Sequence, residues 1–102
     1  MKNIRQCSLL DEVRAEIDAL DRKIVALIAD RAEYVKQAAT FKKNTDDVKA
    51  PQRVEQVIEK VKKLAQETGV DQNVLEATYR AMINGFITSE TEQVKKREGT
   101  GA

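Results

Sequence analysis

An apolar stripe runs unbroken along the first half of the chain. Val13, Ile17, Leu20, Ile24, Leu27, Ile28, Val35, Ala38 and Phe41 recur mostly at steps of three and four, and neither glycine nor proline interrupts them. This pattern predicts one helix reaching about Lys43, roughly 33 to 35 residues and about 50 Å long. SLLDEV opens it, with Ser8 as the N-cap and Asp11 in the reciprocal position three residues on.

The stretch KNTDDVKAP breaks the pattern, and Pro51 suits the first turn of a second helix. That helix carries Val54, Val57, Ile58, Val61 and Leu64 and ends before Gly69. Asp71 caps a third, whose apolar residues are Val74, Leu75, Met82, Ile83, Phe86, Ile87 and Val94. No convincing strand alternation occurs, so the expected fold class is all-α, three helices with a very long first one. The second helix is too short to cover the first. A homodimer with the long helices packed together closes that gap; an elongated monomeric bundle is the alternative.

The totals narrow the chemistry. A chain of 102 residues is a single domain. Residues 8–96 form it, with flexible ends expected at 1–7 and 97–102. Charged residues are 34% of the chain, yet the net charge is only +1, and acids interleave with bases, which argues against nucleic acid as a partner. Histidine is absent, which removes the usual neutral-pH base and every histidine metal site. Cys7 is the one cysteine, which fits a reducing, cytoplasmic setting and a minor packing role. No apolar run is long enough to span a membrane, and the opening residues lack the apolar centre of a signal peptide.

Several polar side chains fall on apolar faces. Arg31 and Lys42 differ by about 20° around the helix and about 16 Å along it, with Val35 and Ala38 between them. Two long cations leaning over a small alanine make a cradle for an anion with more than one acidic group. Arg14 lies about 100° away from Arg31 and far down the rod. Within one chain it does not easily reach the same place; across an antiparallel helix pair it could. Arg53 sits in the first turn of the second helix, where free amides already favour an anion. Glu90 follows Ile83 and Ile87 on the third helix's apolar stripe, where a carboxylate is costly unless paired or protonated. Each residue also has a plain reading: an ordinary base in a charged first turn for Arg14, snorkelling for Arg31 and Lys42, an ion pair with Glu55 or Asp47 for Arg53, a surface salt bridge for Glu90. Together they mark a candidate anion pocket rather than a reaction.

The segments LDEVRAEIDALDRKIVALIADR, YVKQAATFK, APQRVEQVIEKV and YRAMINGFITSE resemble the small all-helical chorismate mutases, and within them the isochorismate-pyruvate lyases. The ordered set RxxIDxxDxxIVxLxxxR, lysine at 42, PxR at 51–53 and a carboxylate at 90 carries the resemblance across nearly all of residues 8–94. It implies an intertwined homodimer, two equivalent pockets, a small dianionic substrate and neither cofactor nor metal. Arg14 would come from the other chain to bind a substrate carboxylate. Arg31 would hold the second carboxylate, Lys42 the ether oxygen and a carboxylate, and Arg53 the ring side. Val35, Ala38, Ile83 and Ile87 would line the pocket. Glu90 stands where many members carry a glutamine that donates to the ether oxygen; as a neutral acid it would do the same.

The resemblance implies one of two reactions. Chorismate mutase rearranges chorismate to prephenate; the lyase converts isochorismate to salicylate and pyruvate. Ala50 replaces an aspartate common in bacterial mutases and leans toward the lyase, whereas Glu90 departs from the lyase's usual glutamine. The mutase is the favoured expectation and the lyase the alternative. A helical interaction or regulatory module that has lost the chemistry is a further one.

Overall fold

The computed structural model describes residues 4–41 and 51–100, with the backbone alone for 93, 94 and 97–100. Residues 42–50, including Lys42, Asp47 and Ala50, lie outside the described residues, as does the side chain of Val94. Three helices occupy what is described: α1 Leu10–Ala39, α2 Pro51–Thr68 and α3 Gln72–Thr100. No strand occurs among these residues. The chain is all-α. It divides into two compact units, Met1–Val35 and Lys36–Ala102.

In the first unit, α1 begins one residue later than its sequence suggests. The Leu9 carbonyl accepts from the amides of Glu12 and Val13 at 3.1 and 3.2 Å, which makes Leu9 the capping position. The Glu12 carboxylate then accepts from the amides of Ser8 and Leu9 at 2.9 and 3.3 Å. Glu12, rather than Asp11, occupies the reciprocal place, and its extra methylene lets one oxygen reach two otherwise unpaired amides. The apolar stripe that follows is open to solvent in the single chain: Ile17 and Leu20 are each 49% exposed, Ile24 52% and Leu27 67%.

In the second unit, α1 stops at Ala39 instead of continuing to Lys43. The amides of Thr40 and Phe41 tighten onto the carbonyls three residues back, Gln37 and Ala38. The Thr40 hydroxyl also donates to Gln37 at 2.7 Å. A threonine side chain bonded to local backbone competes with the helix, which accounts for the early end. The sequence periodicity survives to Phe41, but Phe41 is 84% exposed and no packing holds its turn helical.

Helices α2 and α3 pack on each other as an antiparallel hairpin. Ile58, Val61 and Ala65 of α2 are buried, as is Ile83 of α3. Ala65 had no place in the sequence reading, and Leu64 did; the structure reverses them, with Leu64 49% exposed. Ala65 lies within about 20° of the Val54–Ile58–Val61 line, whereas Leu64 lies about 80° off it. Val74 is likewise 56% exposed, because nine residues place it about 180° from Ile83.

Gly69 ends α2 with φ of 82°. The amides of Gly69 and Val70 both donate to the Ala65 carbonyl, at 2.9 and 3.0 Å, closing the helix before the turn. Asp71 opens α3 as expected: its carboxylate accepts from the Asn73 amide at 2.8 Å and its carbonyl from Leu75. Nothing lies within 4 Å of where a Cβ on Gly69 would sit, so the cost of a side chain there is conformational alone. Gly69→Ala should lower stability by about 1 kcal/mol, read as a lower urea midpoint with an unchanged slope; an unchanged midpoint would refute the left-handed cap.

Candidate functional site

The expected site residues divide between the two units. Arg14 is exposed in the second turn of α1. Arg31 and Val35 are half-buried and stand one turn apart on the same helix face, while Ala38 is exposed. Lys42 lies outside the described residues, so its alignment with Arg31 rests on helical spacing alone.

In the second unit, α3 brings Ile83, Ile87 and Glu90 onto one stripe. Ile83 is 8% exposed and Glu90 7%, with Ile87 half-buried between them. Seven residues place Glu90 within about 20° of Ile83, so helical geometry alone turns this carboxylate inward. Among the described residues Glu90 is the one polar or charged side chain in the buried class. Its burial agrees with the inward position and argues against the surface salt bridge.

Arg53 is exposed in the first turn of α2. Its alternative reading, a pair with Glu55, meets a competitor that the linear sequence did not reveal. Arg80 of α3 grips Glu55 with both terminal nitrogens, Nη1 to Oε2 at 2.9 Å and Nη2 to Oε1 at 3.1 Å. Its Nε donates to Glu76 Oε2 at 2.9 Å, one turn back on α3. Lys62 of α2 completes the group, 3.9 Å from Glu76 Oε1. Glu55 facing Arg80, and Lys62 facing Glu76, fix the antiparallel register. Continued back along α2, that register sets the first turn of α2, with Arg53, beside the part of α3 that carries Ile83 and Ile87.

An open depression runs along α2, lined by Pro51, Gln52, Glu55, Gln56 and Glu59. None of the expected site residues that the structure describes lines it, and the carboxylates of Glu55 and Glu59 do not suit an anion. It is a groove of the helix surface, separate from the Ile83–Glu90 stripe.

Comparison with known proteins identifies the architecture. Residues 13–91 match chorismate mutase type II. The chain belongs to that family. The matched span includes every candidate position from Arg14 to Glu90. The chain is 29% identical over 99 residues to the isochorismate pyruvate lyase of Pseudomonas aeruginosa, covering 97% of this chain and 98% of that one. It is 35% identical over 66 residues to the chorismate mutase of Methanocaldococcus jannaschii, covering 64% of this chain and 67% of that one. The family resemblance carried by the four segments and the ordered set from Arg14 to Glu90 therefore holds.

The Arg80 guanidinium, by hydrogen bonding, holds the Glu55 carboxyl below its ordinary value of 4.5. A carboxylate whose pKa is lower in the folded chain stabilises it above the ordinary value, and that contribution disappears as pH falls through the lowered one. Glu55→Gln should therefore be less stable than the parent at neutral pH, with the difference closing on acidification. Thermal midpoints measured across the acid range check this, and a difference that stays constant down to the most acidic point would contradict it.

Proposed function

We propose that the protein is a chorismate mutase, rearranging chorismate to prephenate without a cofactor. The observation that carries this reading is the family match over residues 13–91, which takes in the whole set of candidate cations and the buried Glu90. In the rearrangement a C–O bond breaks as a C–C bond forms, with no added nucleophile. Negative charge grows on the ether oxygen, and a fixed cation stabilises that growth more than it stabilises the ground state. Arg14, Arg31 and Arg53 hold the substrate's acidic and ring groups in the folded conformation, Lys42 meets the ether oxygen, and Val35, Ala38, Ile83 and Ile87 supply apolar walls. Arginine forks suit carboxylates, and lysine serves as a point charge.

The functional form we propose is a homodimer in which each chain lends Arg14 to the other's pocket. The exposed stripe on α1 supports it: Ile17, Leu20, Ile24 and Leu27 are 49% exposed or more in the single chain. No helix among the described residues is long and apolar enough to cross a membrane. The single cysteine fits the cytoplasm as the place of action.

Isochorismate-pyruvate lyase is the second reading. The near end-to-end likeness to the Pseudomonas aeruginosa lyase favours it, together with Ala50 and Pro51 ahead of Arg53. Both reactions need a folded dianion among cations, so the arginines do not choose between them. Purified protein given chorismate and isochorismate separately, with prephenate, salicylate and pyruvate measured, decides the matter. Prephenate from chorismate is expected; fast salicylate formation with negligible prephenate would make it the lyase, and no turnover of either would leave the non-catalytic module.

Lys42→Ala is expected to lower kcat about 100- to 1,000-fold, the usual loss on removing one preorganised transition-state donor. An unchanged kcat would remove Lys42 from the chemistry. In this scheme Glu90 takes the place of the glutamine that donates to the ether oxygen in many members. Glu90→Ala should lower kcat at least about tenfold while Glu90→Gln keeps most of the parent rate; an alanine variant with the parent's kcat would exclude the role.

A further inference from the structure

The apolar contacts of the hairpin do not by themselves explain how the first turn of α2 is held. The fully buried residues of α2, Ile58, Val61 and Ala65, begin two turns into the helix. Ahead of them, Val54 and Val57 are only half-buried, and Pro51, Gln52 and Arg53 are exposed. Among the described residues, the Arg80 guanidinium of α3 reaches this end of α2, bonded twice to Glu55. Arg80 is itself fixed by Glu76 through a separate nitrogen, and Glu76 is only 28% exposed at its side chain.

Two features set this contact apart from an ordinary surface ion pair. A two-point bond between a planar guanidinium and a carboxylate fixes orientation as well as distance, which a lysine in the same place does not. The Nε bond to Glu76 preorders the arginine on α3, so less freedom is lost when it grips α2. The two gripped helices carry different parts of the candidate site. Glu55 follows Arg53 by two residues in the same turn of α2. Arg80 precedes Ile83 by three residues and Glu90 by ten on α3.

We infer that Arg80 is a positioning residue: by clasping Glu55 it sets where Arg53 stands relative to the Ile83–Ile87–Glu90 stripe, and so tunes how the substrate's ring side is bound. This rests on the substrate-binding role given to Arg53 above. Arg80 touches no substrate in this scheme; its effect passes through the first turn of α2. Loss of the fork should let that turn move, weakening binding while leaving the bond-exchange step nearly intact.

A double-mutant cycle tests it, with kcat and KM measured for whichever of chorismate or isochorismate the protein turns over. The proteins are the parent, Arg53→Ala, Arg80→Lys and the double variant, with Glu55→Gln as an independent break of the same bond. Arg80→Lys keeps charge and bulk, and circular dichroism verifies that each variant is folded. Arg80→Lys and Glu55→Gln should each raise KM roughly three- to tenfold, within the range of couplings between residues that share a network, with kcat changed less than about twofold. In the Arg53→Ala background, Arg80→Lys should add almost nothing. A full-sized Arg80→Lys effect without Arg53, or none in the parent while Arg53→Ala still raises KM, would overturn the positioning role and leave the substrate reading standing. An Arg53→Ala variant with unchanged constants would overturn the reading of Arg53 itself, and this inference with it.

Discussion

A lone helix cannot cover its own apolar stripe. Along α1 the side chains from Val13 to Leu27 recur on one face, and in the single chain they remain between 40% and 67% exposed. Burying a half-exposed leucine or isoleucine further is worth on the order of 1 kcal/mol. A run of such residues therefore supplies enough to hold two chains together. The dimer proposed for this protein follows from that constraint. The same helix carries Arg14 near one end and Arg31 near the other, so covering the stripe with a second copy would also determine which cations share a pocket.

The second unit obeys a different logic. There α2 and α3 bury Ile58, Val61, Ala65 and Ile83 between short, well-capped ends. This hairpin has a core of its own, and Glu90 is the one charged side chain buried among its described residues. A carboxyl in that position lowers stability unless it is paired or protonated. The function proposed above gives it a use: donation to an oxygen on which charge develops as a bond breaks. Neither histidine nor cysteine is required for such a step, in keeping with a composition that lacks the first and holds only Cys7.

Much of this was legible in the chain itself, and the misses have identifiable causes. Periodicity located all three helices, while Pro51, Gly69 and Asp71 marked the boundaries around α2 and α3 because each acts through local backbone geometry. The start of α1 was misplaced by one residue because Asp11 and Glu12 both offer a carboxylate to the cap, and only their reach separates them. Its end was overrun because apolar spacing continues to Phe41 whereas Thr40 bonds the helix's own backbone. Leu64 and Val74 looked like core from hydrophobicity alone, although their angular positions put them at the edge and on the far side. Ala65 was overlooked because alanine suits either environment. Glu90 was legible because a charge on a stripe stands out. Arg80 was not, since a basic residue among acids gives no linear sign of which carboxylate it will hold across a helix pair.

The sharing of a pocket between two copies is the central claim, and subunit complementation addresses it most directly. Arg14→Ala and Lys42→Ala chains, each nearly inactive alone, would be unfolded together and refolded in equal amounts. If each chain lends its Arg14 across the dimer, half of the refolded dimers are mixed and each mixed dimer keeps one intact site. Activity should then return to about a quarter of the parent value. Activity that stays at the level of the separate variants, with mixed dimers shown to have formed, would place Arg14 in its own chain's site and contradict the account.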